Sequence, residues 1–450
     1  MTVPDATALL AADREYLSRR RIVVTGVGAV TSLGLTAEET WRALLAGRSG
    51  IGPITRFDSS MLPVHIAGEV KDFQPEQYMD RKEVRRTSRA SHLAVAAVRM
   101  ALADAGLPEP LPCSERVGTV VGTGAGGLEV VDRELTTLRT RGFDRINPFA
   151  LTGFLANMPA YHVSLITGAH GPINTVVAAC ASGSQAIAEG MEMIRSGRAD
   201  LVVAVGVEGL IDLTAIGGFA RINALSLRND DPEHACRPFD KHRDGTVLSE
   251  GAGALVLERL DCALARGATI YGRLLGHASS SDAYHVTAPD PEAGGMARAI
   301  SWALKDADVP PDRIDYINAH ATATPLNDSL ETLAIKKVFG EAAYHIPVSG
   351  TKAVLGHALG GAGAIEAIFC LLAMRDRLIP PTWNYDQPDP TCDLDYVPNR
   401  PRAAHLRTVL SNSFAMGGHN CCLVFGQHGN QHGNQHDGQP GDQPGNEVCP

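Results

Sequence analysis

Residues 173–203, INTVVAACASGSQAIAEGMEMIRSGRADLVV, and residues 346–378, IPVSGTKAVLGHALGGAGAIEAIFCLLAMRDRL, share one plan: a short apolar strand, a turn of small residues and a helix. Ile187, Met191 and Ile194 stand at i, i+4, i+7 in the first helix, and Ile365, Ile368 and Leu372 at i, i+3, i+7 in the second. Each helix is therefore expected to bury one face. The pair reads as a duplicated α/β unit. Its two turns hold Cys180 and His357, each just before a helix, and in open α/β folds ligands gather at such strand ends.

Around this pair, short β-branched runs alternate with longer Ala-rich segments, the α/β pattern. Residues 116–121, 174–178, 201–207, 254–258, 314–318, 346–349 and 421–425 read as strands, as does Ile22-Val23-Val24-Thr25, ending at Gly26. Asp244-Gly245 is a hairpin signal feeding the strand after Gly253. Residues 1–20 read as a polar leader. From Gln427 onward the chain has almost no apolar content, which predicts disorder over 427–450. His428, His432 and His436 recur every four residues there, but Gly429 and Gly433 oppose the helix that would align them, so no biological metal site is expected.

Composition narrows the function classes. Of 450 residues, 44% are apolar and 20% charged, as in an ordinary globular enzyme. A formal charge of −10 argues against nucleic-acid binding as the main role. The best apolar run, Leu201 to Val207, meets Glu208, far short of the ~20 residues a membrane helix needs. Asp5, Asp13 and Glu15 ahead of Arg19-Arg20-Arg21, with no apolar stretch following, do not read as a signal peptide. Nine cysteines without a CxxC pair fit reduced thiols in a cytoplasm. The 46 glycines predict tight turns and close backbone approaches around ligand-bearing loops.

Four places could carry chemistry. Cys180 lies at the mouth of a helix, whose positive end favours thiolate over thiol and predicts a lowered pKa; the plain alternative is an inert buried cysteine. His320 sits in Asn318-Ala319-His320-Ala321-Thr322-Ala323-Thr324-Pro325, a small, hydroxyl-rich loop that a long ligand could approach. His357 follows Lys352 and precedes Glu366, which could form a buried charge network or leave Lys352 solvated. The loop Asn412-Ser413-Phe414-Ala415-Met416-Gly417-Gly418-His419-Asn420 offers backbone N–H groups to an oxyanion, or is a plain turn. Gly26-Val27-Gly28-Ala29-Val30-Thr31 starts like a dinucleotide fingerprint but does not complete it, and no P-loop, HExxH or GxSxG is present.

Taken together, these segments resemble the β-ketoacyl-acyl-carrier-protein synthases, the elongating condensing enzymes of the thiolase fold. The resemblance covers about Arg21 to Phe425 and rests on the Cys180 turn, NAHATATPLND around His320, GTKAVLGHALGGAGAIE around His357, RPFDKHRDGTVLSEGAGALVLE, and the NSF loop ending in GGHN. The HAT motif and the GGHN ending look most like actinobacterial synthases. It implies two βαβαβαββ-type halves, 21–270 and 271–426, in five alternating α/β layers, and a dimer in the cytoplasm.

The same resemblance implies the roles. Cys180 takes the acyl group from a carrier-protein phosphopantetheine thioester, and no cofactor is needed. His320 and His357 stabilise the enolate left when malonyl carrier protein loses carbon dioxide. Lys352, paired with Glu366, sets the electrostatics, and the amides of Cys180 and Met416, beside Phe414, hold the oxyanion. Thr322 and Thr324 contact pantetheine. Arg81, Lys82, Arg85, Arg86 and Arg89 form a cationic stripe on one helix for acidic acyl carrier protein, or a merely solvated face. Three departures stand out: Met416 replaces a gating phenylalanine, Ala125 replaces a larger aliphatic beside the acyl pocket, and Ala181 stands where threonine is frequent. The first two suggest a long, branched, unsaturated or rigid acyl chain, as in polyketide synthesis. The partner is a second copy or a chain-length-factor-like subunit. A non-catalytic partner is disfavoured because Cys180 and both histidines are present; a thiolase is disfavoured because Met416-Gly417-Gly418-His419 lacks its second cysteine.

Overall fold

The computed structural model describes residues 21–429. The expected leader, His432, His436 and nearly all of the expected disordered tail lie outside the described residues.

The first half supplies β1 (Ile22–Thr31), β2 (Val117–Gly122), β3 (Ile173–Val176), β4 (Leu201–Glu208) and β5 (Gly251–Arg259). The second supplies β6 (Gly272–Ser281), β7 (Tyr316–Asn318), β8 (Val348–Ser349), β9 (Thr408–Ala415) and β10 (His419–Gly426). They form one ten-stranded sheet in the order β8-β7-β9-β10-β6-β1-β5-β4-β2-β3. From the centre outward, each half has two antiparallel pairings and then two parallel ones: β1–β5–β4–β2–β3 on one side, β6–β10–β9–β7–β8 on the other. A short β1–β6 pairing, Ile22 to Val24 against Gly272 to Leu274, joins them. The order is its own mirror in strand role, the mark of the duplication expected from the paired segments.

Strand periodicity explains the layers. In β4, Val203 and Val205 face one way with Val256, while Val202 and Ala204 face the other with Leu255. The first set packs under α1 (Arg89–Asp104) and α2 (Met158–Thr167). The second set packs on α3 (Ser182–Arg195). In the other half, Leu410 and Val424 pack under α4 (Gly294–Asp306) and α5 (Pro325–Phe339), while Val409 and Leu423 pack on α6 (Ala362–Asp376). The layers therefore run helix, sheet, helix, sheet, helix, with α3 and α6 in the middle. Being sandwiched, α6 is buried all round from Ala362 to Met374, not on one face as its apolar spacing predicts.

Three further expectations are corrected. β1 continues to Thr31 instead of stopping at Gly26, so the Gly26-Val27-Gly28 segment is strand. Gly28 is there for packing: a Cβ on it would stand 2.1 Å from the Ala97 carbonyl oxygen of α1. Asp244-Gly245 makes no hairpin into β5, because Thr246 bridges Leu225 and Leu248 bridges His357 before β5 begins at Gly251. β6 and β9 are strands with little β signal; GRLLGHASSS and TVLSNSFA are rich in glycine, serine and asparagine, and tertiary pairing overrides that propensity.

Candidate active site

The chain leaves β3 through a tight turn, Ala179–Ala181, that runs straight into α3. Ser182 stabilises it by accepting from the Ala178 amide at 2.8 Å and donating to the Ala179 carbonyl at 2.7 Å. Ala179 takes φ 48°, the left-handed region that disfavours a side chain, so the turn is held by its surroundings. Cys180 at its centre is only 6% exposed. Its own amide and that of Met416, the two expected to hold an oxyanion, both donate toward the sulfur.

Burial overturns the expectation of a lowered thiol pKa. It pushes the Cys180 thiol up to about 12, while the Lys352 ammonium and the two amides pull down and Glu208 adds to the rise. Cys180 rests as a thiol that a neighbouring base must relieve. Iodoacetamide inactivation is expected to quicken about tenfold per pH unit up to about pH 9 without a plateau. A plateau near neutral pH would instead put the helix terminus in control.

His320 follows β7 and is fixed by Glu331 of α5, whose carboxylate accepts the His320 and Ala321 amides at 2.8 Å each and Asn412 Nδ2 at 3.1 Å. His357 is fixed by its backbone, donating to Val247 O at 2.7 Å and accepting from Ser249 N at 2.9 Å. The two rings meet edge to face, centroids 5.2 Å apart, and Phe414 stands edge-on to His320 at 6.2 Å. Burial, with the nearby Lys352 ammonium, holds both imidazoles well below their ordinary pKa, so both are neutral. Neither nitrogen of His357 and not Nδ1 of His320 has a hydrogen-bond partner, although all are buried. Buried imidazoles left so are poised for groups that arrive with a ligand. The sulfur and one nitrogen of each ring lie within 4.8 Å of one another. In ligand type the trio also suits a soft ion such as zinc, which would compete with acylation of the sulfur.

Lys352 is wholly buried; its ammonium pairs with Glu366 of α6 and donates to the His320 carbonyl. That settles the choice left open in the sequence: Lys352 is a network member, not a solvated loop residue. Cys180, His320, His357, Phe414 and Met416 share a cavity of about 350 Å³ with Thr322 and Thr324. The two threonine hydroxyls lie 2.9 Å apart, and Thr324 also caps α5. Ala125 does not line this cavity; it packs on the apolar cluster of Cys180, Ile211 and Ile216.

The cationic stripe does not survive. Arg81–Val84 is a single helical turn, and α1 starts afresh at Arg89, with Ser88 as its cap. Arg86 turns to Glu83 and stacks over Phe149, and Arg89 pairs with buried Glu250. Arg81, Lys82 and Arg85 remain exposed.

Sequence reasoning missed the buried acids. Glu331 and Asp328 each accept loop amides beside His320, and Glu208 accepts amides behind Cys180. Burial pushes Glu331 and Glu208 up to about 7. A signal exists: Asp328 and Glu331 lie one turn apart in PLNDSLE, directly after the His320 loop. Phe219 and Asn223, also cavity residues, carry no such signal.

Comparison with known proteins identifies this arrangement. Residues 19–263 match the β-ketoacyl synthase N-terminal domain and residues 271–386 its C-terminal domain. The chain belongs to the β-ketoacyl synthase family. A 3-oxoacyl-[acyl-carrier-protein] synthase 2 of Synechocystis is 49% identical over 91% of this chain and 98% of the relative. Among solved structures, the ishigamide ketosynthase/chain length factor superposes with a TM-score of 0.86 at 39% identity, covering 91% of this chain and 100% of that one. A type II polyketide ketosynthase bound to the hexaketide, in complex with its acyl-carrier protein, gives 0.83 at 34%, covering 91% and 99%. The β-ketoacyl synthase is thus a thiolase-fold acyltransferase of the condensing type.

Proposed function

We propose that this β-ketoacyl synthase elongates acyl chains on acyl carrier protein by decarboxylative condensation with malonyl carrier protein. The observation that carries the reading is one cavity holding a cysteine under two converging amides, opposite two neutral imidazoles with free nitrogens. Cys180 loses its proton to a neutral imidazole and attacks the acyl thioester; the carbon–sulfur bond to the carrier breaks and the pantetheine thiol takes the proton. Malonyl thioester then binds with its carbonyl oxygen toward the ring N–H groups of His320 and His357. Its carboxylate leaves as carbon dioxide, and the electron pair stays as an enolate that those donors stabilise. The enolate carbon attacks the Cys180 thioester. The tetrahedral oxygen rests on the amides of Cys180 and Met416, and the thiolate leaves and takes up a proton from solvent. The chemistry lies in side chains and thioesters, so no cofactor is required. Intact mass measurement after incubation with acyl carrier protein tests the first step, and no mass gain would contradict it.

Thr322 and Thr324 line the approach and would bond pantetheine amides. For the acidic carrier, Arg81, Lys82 and Arg85 are the exposed cations of the reduced docking face. Arg81→Glu with Arg85→Glu should raise the carrier KM about tenfold at low salt, less at high salt. An unchanged KM would rule this face out.

The partner is a chain of the same fold, a second copy or a chain-length-factor-like subunit in the cytoplasm. Support comes from the exposed apolar residues Leu138, Phe143, Leu151 and Leu165, with Ile173 on edge strand β3. The catalytic-subunit reading is favoured by the ketosynthase/chain length factor similarity. Met416 at the cavity predicts a loose acyl gate, since methionine adapts where phenylalanine is rigid. Met416→Phe is expected to cut elongation of long or rigid chains about tenfold while sparing octanoyl carrier protein, read by competition between acyl carriers. Equal effects on both chains would remove the gate from the account.

A further inference from the structure

Glu208 ends β4, beneath the active site, and is fully buried. Its hydrogen-bond partners are neutral donors. Oε2 accepts from Gly124 N at 2.8 Å and Gly360 N at 3.2 Å; Oε1 accepts from Thr123 Oγ1 at 3.2 Å and Ala125 N at 3.4 Å. The ionised carboxylate accepts all four, and a protonated one can keep Oε2 on the two glycine amides while its O–H turns to the Thr123 hydroxyl.

The two turns it joins come from different halves of the protein. Residues 123–125 follow β2 and lie behind the nucleophile: a Cβ on Gly124 would stand 2.7 Å from Glu208 Oε2 and 3.8 Å from the Ala179 Cα. Gly360 lies in the turn Leu359–Gly361, just past His357. A Cβ there would stand 2.4 Å from Gly124 N and 2.8 Å from Glu208 Oε2. Side chains at either position would push the carboxylate off the two amides. Leu359, with φ 44°, marks its turn as a conformation its own residue does not favour, and Ala179, with φ 48°, does the same for the nucleophile turn that residues 123–125 back.

We infer that Glu208 is a positioning residue: its carboxylate pins the turn behind Cys180 to the turn behind His357 and so fixes their spacing across the junction of the halves. The inference rests on the roles proposed above for Cys180 and His357. Its negative charge opposes thiolate formation at Cys180, so electrostatic activation is not what it contributes. Decarboxylation needs only the histidines, whereas acyl transfer needs an imidazole within reach of Cys180 as its base as well as the two amides. Acyl transfer and condensation therefore both need the sulfur and the histidines in register, and a small misplacement there is costly.

Three rates on the full chain test this: acyl transfer onto Cys180, carbon dioxide release from malonyl carrier protein, and condensation. In Glu208→Ala, condensation should fall about 100-fold and acyl transfer with it, while carbon dioxide release falls less than about fivefold. Glu208→Gln can keep its oxygen on Gly124 and Gly360 and turn its amide to the Thr123 hydroxyl, so condensation should stay within about fivefold of wild type. Gly360→Ala, which wedges a methyl into the same contact, should reproduce the selective loss even if Glu208→Ala does not fold. Equal loss of all three rates in Gly360→Ala, unimpaired condensation in Glu208→Ala, or a glutamine variant as poor as the alanine one would overturn the inference. Wild-type protein that takes no acyl group on Cys180 would overturn the nucleophile itself, and this inference with it.

Discussion

Cys180→Ala protein is expected to lose condensation by about 10⁴-fold while it continues to release carbon dioxide from malonyl carrier protein. Among the described residues no other thiol lines the cavity; Cys236 is buried outside it. His320 and His357 do not depend on the sulfur for their placement. Glu331 holds the His320 loop through two amides, and Val247 and Ser249 hold His357. Condensation and carbon dioxide release, measured on the same preparation, check this. Loss of both to the same degree would mean that the thiol organises the histidines as well.

Lys352→Ala is expected to destabilise the protein by about 3–5 kcal/mol, because it strands the buried Glu366 carboxylate. Both partners are wholly shielded from solvent, and the ammonium also serves the His320 carbonyl. Burial already pushes the Glu366 carboxyl up against the pull of Lys352, so removal of the ammonium leaves Glu366 to take up a proton. Denaturant unfolding reads the loss. The paired change Lys352→Met with Glu366→Gln should recover most of the stability, yet release carbon dioxide more slowly than wild type, since the field at the histidines is gone. A loss under about 1 kcal/mol in Lys352→Ala would show that the pair does not support the core.

Much of this is legible in the chain itself. The strand–turn–helix repeat exposes the duplication because both copies keep one order of apolar and small residues, and sheet order repeats it strand for strand. Cys180, His320 and His357 stand out because each sits where a strand empties into a small-residue turn, and the structure brings them into one cavity. Other features depend on surroundings that local sequence does not contain. The sign of the Cys180 shift follows from burial between halves, which outweighs the helix end. The stripe of arginines looks helical by spacing, but Ser88 caps a new helix and Glu250 and Glu83 take two of the cations. β6 and β9 are held by their neighbours in spite of composition. The buried glutamates escape notice because acids read as surface residues until the amides they accept are known.

The most direct test of the nucleophile is to find the acyl group. Wild-type protein incubated with an acyl carrier thioester and digested should carry one acyl group on the peptide containing Cys180, and should lose it on addition of malonyl carrier protein as β-ketoacyl carrier protein appears. An acyl group on any other residue, or one that malonyl carrier protein does not discharge, would contradict the account.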